Sequence, residues 1–262
     1  MPFNLHFVSD LLSAALGSSA GWWLYRRYLM PVGLAGGTRR GLSYWMVLIV
    51  SAALGAYWLG TLNLIVSSHP GIGRSVFGAV LGAVVGIELY KLIRGQRGST
   101  GAVFVLPLAL GLGIGRIGCF LAGMDDFTFG TPTSLPWAHD FGDGIPRHPV
   151  QLYESAVMLA FAAFFFFWAK ARPALASAYG FHIFMLVFAA DRFALEFLKP
   201  YGRIVNEFTV FQIGAVLLFL YAALMLWGNR RDHARYQTLS LLRPDDVTLR
   251  DLPAAGPGQD PH

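Results

Sequence analysis

Long apolar stretches dominate this chain and restrict the solvent it can fold in. Runs of about 20 predominantly apolar residues lie at about 7–25, 43–66, 76–93, 101–121, 150–169, 178–198 and 208–227. Each is long enough to cross a hydrocarbon core of ~30 Å as a helix. In lipid every backbone polar group must be satisfied within the chain, which favours helices over open sheet. Only 13% of the 262 residues are charged, against about 25% in soluble domains. Such a chain cannot cover a water-soluble globule with charge, so a cytosolic enzyme, a disordered protein and a fibre are all excluded. The expected fold is all-α: a polytopic integral membrane protein of about seven transmembrane helices. The first run contains Asp10 and several serines and lacks a basic leader. It is read as a retained span rather than a cleaved signal.

The positive charges alternate from loop to loop. Arg26, Arg27, Arg39 and Arg40 flank the first connection, Lys91, Arg94 and Arg97 the third, and Lys170 and Arg172 the fifth. Arg230, Arg231, Arg235, Arg243 and Arg250 follow the last span. The opposite side has only Arg74, Arg147, Lys199 and Arg203. Basic residues concentrate on the cytoplasmic side, so the N-terminus is expected outside and the C-terminus in the cytoplasm. The basic balance thus reports orientation and implies no nucleic-acid partner. Residues 1–231 form the membrane domain. Residues 232–262, polar and rich in Pro, Gly and Asp, read as a flexible cytoplasmic tail. Cys119 is the single cysteine, which removes intrachain disulfides and multi-cysteine metal sites.

Charge inside a span costs about 2.5–3.5 kcal/mol per residue at mid-span on insertion scales. Glu88, Arg116, Glu154, Asp191, Arg192 and Glu196 fall in the predicted spans. Glu88, near the cytoplasmic end beside Lys91, can reach the interface. The other five converge in the outer half. Arg116 is about 22 Å along the fourth span, Glu154 is one turn into the fifth, and Asp191, Arg192 and Glu196 are late in the sixth. They form either buried ion pairs between helices or a functional cavity; two guanidiniums suit a phosphate. The glycines Gly78, Gly82 and Gly86, at every fourth residue, predict close approach of another helix to the third span.

The longest external segment, about 122–149, holds Asp125, Asp126, His139, Asp140, Asp143, Arg147 and His148, together with four prolines and Trp137. Its composition predicts an ordered cap loop, and its acidic and histidine spacing matches no standard metal pattern. Gly113–Gly118 matches G-x-G-x-x-G letter for letter. That motif signifies dinucleotide binding only between a strand and a helix, and here it lies inside an apolar helix. Its glycines, Gly115 and Gly118 among them, are read as letting a partner helix or a lipid headgroup reach the backbone beside Arg116.

Three blocks resemble the prolipoprotein diacylglyceryl transferase family over roughly residues 70–225. Gly115-Arg116-Ile117-Gly118-Cys119-Phe120 is similar to its G-R-x-G-N-F block, and Arg147-His148-Pro149-Val150-Gln151-Leu152-Tyr153-Glu154 to its R-H-P-S-Q-L-Y-E block. Arg192-Phe193-Ala194-Leu195-Glu196-Phe197 is similar to R-F-x-x-E-F. The resemblance implies a bacterial inner-membrane enzyme with seven membrane helices and no cofactor or metal. It would transfer a diacylglyceryl group from phosphatidylglycerol to the lipobox cysteine in a prolipoprotein signal peptide, with glycerol 1-phosphate as the other product. Its partners would be these two substrates and the surrounding membrane lipids. By the same resemblance Arg116 and Arg192 match essential arginines, and Tyr153, Glu154 and Glu196 match supporting positions. The chain departs from the family where Phe77 replaces a histidine, Cys119 an asparagine and Ala122 a second asparagine. The first span also lacks the usual tryptophan–tyrosine start and reads His6-Phe7-Val8-Ser9.

On this reading Arg116 and Arg192 bind the phosphate and stabilise the charge that develops on it. Arg147, Tyr153, Glu154, Glu196, Gly115 and Gly118 contribute to the substrate site. His148 is either the base that ionises the acceptor thiol or a structural hydrogen-bonding group at the start of the fifth span. Asp125 and Asp126 are weaker candidates for the base. Two alternatives remain: a paralogue using the same lipid with a different acceptor, and a non-enzymatic phospholipid-binding protein.

Overall fold

A computed structural model describes residues 5–30, 40–69, 71–96, 98–204 and 207–228. The expected tail at 232–262 lies outside the described residues. Seven long helices follow one another: α1 (Leu5–Leu24), α2 (Leu42–Val66), α3 (Val76–Ile93), α4 (Ala102–Ala122), α5 (Val150–Ala171), α6 (Pro173–Leu195) and α7 (Val210–Gly228). The last six are long and apolar enough to cross a membrane. The polar residues of α1 dilute its hydropathy below that mark. Large apolar side chains such as Trp58, Ile93, Phe167 and Trp227 lie exposed on the outside, as expected of surfaces that face lipid rather than water.

Small residues decide which helices approach. A Cβ on Gly55 of α2 would lie 2.9 Å from the Cα of Gly82 on α3, and one on Gly78 would lie 2.9 Å from the Cβ of Leu59. The glycine repeat on the third span is therefore a packing seam against α2. At the other side of the bundle α1 crosses α4 at Pro107, where a Cβ on Gly17 would lie 2.9 Å from the Pro107 carbonyl oxygen. Between these two pairs α4, α5, α6 and α7 pack in succession, with α4 also touching α6. Helix α6 is the most enclosed of the six. It begins at Pro173, five residues earlier than expected. Proline at the first helical position needs no hydrogen-bond donor, and the segment Pro173–Gly180 is wholly buried. Its small residues hid that in the hydropathy.

After Leu195 the chain tightens into a 3₁₀ turn, Glu196–Leu198, so Glu196 stands just past α6 rather than within it. The loop between α4 and α5 is ordered, as its composition predicts. Two short strands, β1 (His139–Asp140) and β2 (Pro146–Arg147), pair antiparallel with His139 opposite Arg147. Asp140 Oδ1 accepts from the backbone N–H groups of Gly142 and Gly144 at 2.8 and 3.0 Å. These glycines have φ of +103° and +76°, a conformation that most other residues adopt only with strain. Thr131 N donates to Leu198 O at 2.7 Å, and His148 N donates to Thr131 O at 3.1 Å. The loop thereby caps the bundle end where α4 and α6 finish and α5 starts.

The seam makes a direct prediction. Gly82→Ala should lower the thermal midpoint of the detergent-solubilised protein, by about 1–3 kcal/mol of overpacking, because its methyl meets the Ser51 backbone. Gly111→Ala, with nothing within 4 Å, should leave the midpoint unchanged or raise it.

Candidate active site

Four elements bring charge to the capped end. Arg116 lies in the penultimate turn of α4, Glu154 just after the first turn of α5 and Arg192 in the last turn of α6; Glu196 and Lys199 follow on the 3₁₀ turn and its exit. Glu154 is the hub. Its Oε2 is 2.8 Å from Arg116 Nε, and its Oε1 is 3.1 Å from Arg192 Nη1 and 2.6 Å from Lys199 Nζ. Arg192 Nη2 lies 3.1 Å from Glu196 Oε2. Thr209, just before α7, donates through Oγ1 to Glu196 Oε1 at 2.8 Å. The Arg192 guanidinium also lies 4.3 Å from the centre of the Phe211 ring, a cation–π contact.

Burial divides this network in two. Glu154, Arg192, Glu196 and Lys199 are between 0% and 4% exposed. The Arg116 side chain retains 17%, so it is the cation through which the network meets its surroundings. Arg116 and Arg192 both line a narrow crevice with room for about one water molecule. Glu154 and Asp191 share that wall, and Phe77, Leu112, Met158 and Phe188 close its apolar side. The ion pairs join three cations to two carboxylates, and Asp191 adds a third carboxyl group beside a largely apolar space. Two guanidiniums at a wall of this kind offer forked donors, and interactions made there are strengthened where water is excluded.

The two possibilities left open for the membrane charges therefore coincide: the ion pairs tie α4, α5 and α6 together, and they frame a cavity. Lys199 was assigned to an external loop by its place after the sixth span. The structure turns it inward, 1% exposed, onto the carboxylate that both arginines use. Its spacing three residues after Glu196, one turn on, was the available signal.

Other expected site residues stand elsewhere. Arg147 pairs with Asp143 across the cap hairpin, and its guanidinium lies 5.1 Å from the Phe129 ring centre. Hydrogen bonding from Arg147, the largest cause, holds the Asp143 carboxyl below the usual range. Tyr153 Oη accepts from Trp137 Nε1 at 2.7 Å, and His148 Nδ1 lies 3.5 Å from the same oxygen. None of Arg147, His148 and Tyr153 is on the cavity wall; together they fasten the cap to α5. Gly115 is partly buried and Gly118 buried on α4. The nearby Gly113 provides the helix approach expected of this run, since its carbonyl accepts from Ser155 Oγ of α5 at 2.7 Å. Cys119 Sγ lies 3.8 Å from Arg116 Nη1. The side chains of Asp125 and Asp126 lie outside the described residues. Phe77, buried at 3% exposure, packs against Phe188 and Phe211, 6.0 Å from Arg192.

A second cavity, of about 260 Å³, shares the wall residue Val76 with the first. It runs along the length of α3 to Glu88 and Thr100, through a largely apolar wall that includes Val80, Val84, Leu108 and Met185.

Fold and site together describe a polytopic helical membrane protein with a buried cluster of paired charges beside a largely apolar cavity. Residues 12–228 match the family model for prolipoprotein diacylglyceryl transferase, and the chain belongs to that family. It is 34% identical over 199 residues to the phosphatidylglycerol–prolipoprotein diacylglyceryl transferase of Nitratidesulfovibrio vulgaris strain Miyazaki F, covering 70% of this chain and 72% of that protein. It is 34% identical over 171 residues to the protein of the same name from Vibrio vulnificus strain YJ016, covering 62% and 61%. No solved structure matches the chain.

Removing the hub should be costly. Glu154→Gln leaves buried cations uncompensated, so the thermal stability of the solubilised protein should fall by about 3–5 kcal/mol. Asp143→Asn, on the exposed cap hairpin, should change it little.

Proposed function

We propose that the chain transfers a diacylglyceryl group from phosphatidylglycerol to the lipobox cysteine of a prolipoprotein, in the bacterial inner membrane. The N-terminus and cap face outward and the C-terminus faces the cytoplasm. The observation that carries this reading is the joint exposure of Arg116 and Arg192 to one cavity in a chain of this family. The relatives' names supply the substrates, and the alternation of basic loops supplies the orientation.

The donor phosphate takes its place beside Arg116, the more open cation, with Arg192 behind it. The two acyl chains follow the wall past Val76 into the larger apolar cavity. The acceptor sulfur attacks the glyceryl carbon that carries the phosphodiester. As the carbon–oxygen bond breaks, charge grows on the leaving phosphate. The arginines are already held by Glu154 and Glu196, so little reorganisation is needed when that charge develops. Glu154, Glu196 and Lys199 act on the substrate through the arginines. Tyr153, Arg147 and His148 hold the cap over the site, and the glycines of α4 admit the helix and headgroup beside Arg116.

Phe77 favours a second reading, that of a specialised paralogue. Its ring occupies the cavity wall next to Arg192, so the acceptor side differs chemically from one carrying the family's histidine. The same lipid would then be used with another acceptor.

Purified protein supplied with labelled phosphatidylglycerol should release glycerol phosphate only when a lipobox peptide is present, and should label that peptide. Release without peptide labelling, on adding another membrane-extract acceptor, selects the paralogue; no release with any acceptor excludes both enzymes. Arg116→Gln and Arg192→Gln should each lower kcat by about 100-fold or more while the protein still binds detergent micelles as a folded monodisperse species. His148→Gln should retain most activity.

A further inference from the structure

Asp191 is an ionisable group on the wall of the smaller cavity that the mechanism above leaves unused. It faces the same space as Arg116, Glu154 and Arg192. Among the described residues, no hydrogen bond or ion pair reaches its carboxylate. Glu154 is different: three cations hold it, and protonating it would weaken all three pairs. Glu196 is likewise held by Arg192 and Thr209 and is not on the wall. A carboxylate inside a membrane span without a partner is costly, and here the neighbouring wall of Leu112, Met158, Phe188 and Phe77 offers nothing to hydrogen-bond it. Those apolar side chains also offer no other proton acceptor. Asp191 precedes Arg192 by one residue on α6, so the two side chains leave the helix about 100° apart and still reach one cavity. Asp191 and Arg192 therefore line the same crevice.

We propose that Asp191 is the general base that takes the proton of the acceptor thiol. This inference rests on the transferase reading. A thiol attacks only as the thiolate. The Asp191 carboxylate removes the S–H proton, and the sulfur electron pair forms a C–S bond to the terminal glyceryl carbon. The C–O bond to phosphate breaks, and its electron pair leaves on the phosphate oxygen beside Arg116 and Arg192. Asp191 is left as the neutral acid and returns its proton to water or to the released glycerol phosphate. Nothing is oxidised or reduced. The charged groups that face Asp191 are Arg116 from α4, Glu154 from α5, Arg192 on its own helix and Lys199 beyond it.

The test compares full-length wild-type protein, Asp191→Asn and Asp191→Glu in phosphatidylglycerol-containing nanodiscs. Two lipobox peptides are used, one with cysteine and one with selenocysteine, whose selenol ionises at neutral pH without a base. Wild type should modify both. Asp191→Asn should lose about 100-fold or more in kcat on the cysteine peptide, with KM for phosphatidylglycerol within about threefold, and should lose less than about tenfold on the selenocysteine peptide. Equal losses on the two peptides, a loss confined to KM for the lipid, or unchanged activity would each overturn the proposal; the second would place Asp191 on the donor headgroup instead. If Asp191→Asn fails to fold, as read from its thermal midpoint, Asp191→Glu carries the test, and a cysteine-peptide rate lowered no more than the selenocysteine rate overturns the proposal. Failure of wild type on both peptides overturns the transferase reading itself, an outcome distinct from any of these.

Discussion

Glu154 sits among three cations in a place where none of the four groups could stand alone. An isolated charge within a bilayer is costly, and a single arginine on α4 or α6 would have to reach toward water or be neutralised. By accepting Arg116, Arg192 and Lys199 together, one carboxylate from α5 makes it possible to bury positive charge on both neighbouring helices and on the chain that leaves α6. Glu196 and Thr209 extend the network towards α7. Three helices at the capped end therefore meet on one side chain.

The same network prepares the chemistry. A buried ion pair adds little net stability when its desolvation is counted, but it fixes geometry. Arg192 is clamped on one side by two carboxylates and stacked on Phe211. Arg116 uses Nε for Glu154 and keeps the rest of its fork beside the cavity. The surroundings that hold these groups are made by close helix packing: Gly113 lets α5 approach α4, and the Gly55–Gly82 contact brings α2 and α3 together beside the larger cavity. The cap is fastened to α5 through Trp137, Tyr153 and His148.

Much of this was legible in the chain. Runs of apolar residues located α2, α3, α4, α5 and α7 to within a few residues, since the hydrophobic effect acts on each run separately. The start of α6 was missed because Pro173–Gly180 is small and only moderately apolar, and what holds it in a helix is burial by its neighbours. The convergence of Arg116, Glu154, Asp191, Arg192 and Glu196 followed from their depth along their spans. Lys199 escaped, because its position after a span suggested water, and only the turn at Glu196–Leu198 sends it back inside. His148, in the second block of family resemblance, lies beside Tyr153 in the cap and is not on the crevice wall.

The sequence by itself determined that the chain lives in a membrane, how many helices it forms, and which few charges must find one another. Those are consequences of composition and local periodicity, which do not depend on what the helices touch. The tertiary structure alone decided which cation each carboxylate holds, which arginine remains open, and that Asp191 faces the cavity without a partner. These follow from helix rotation and the path of the loops, and both are set by contacts between residues far apart in the chain.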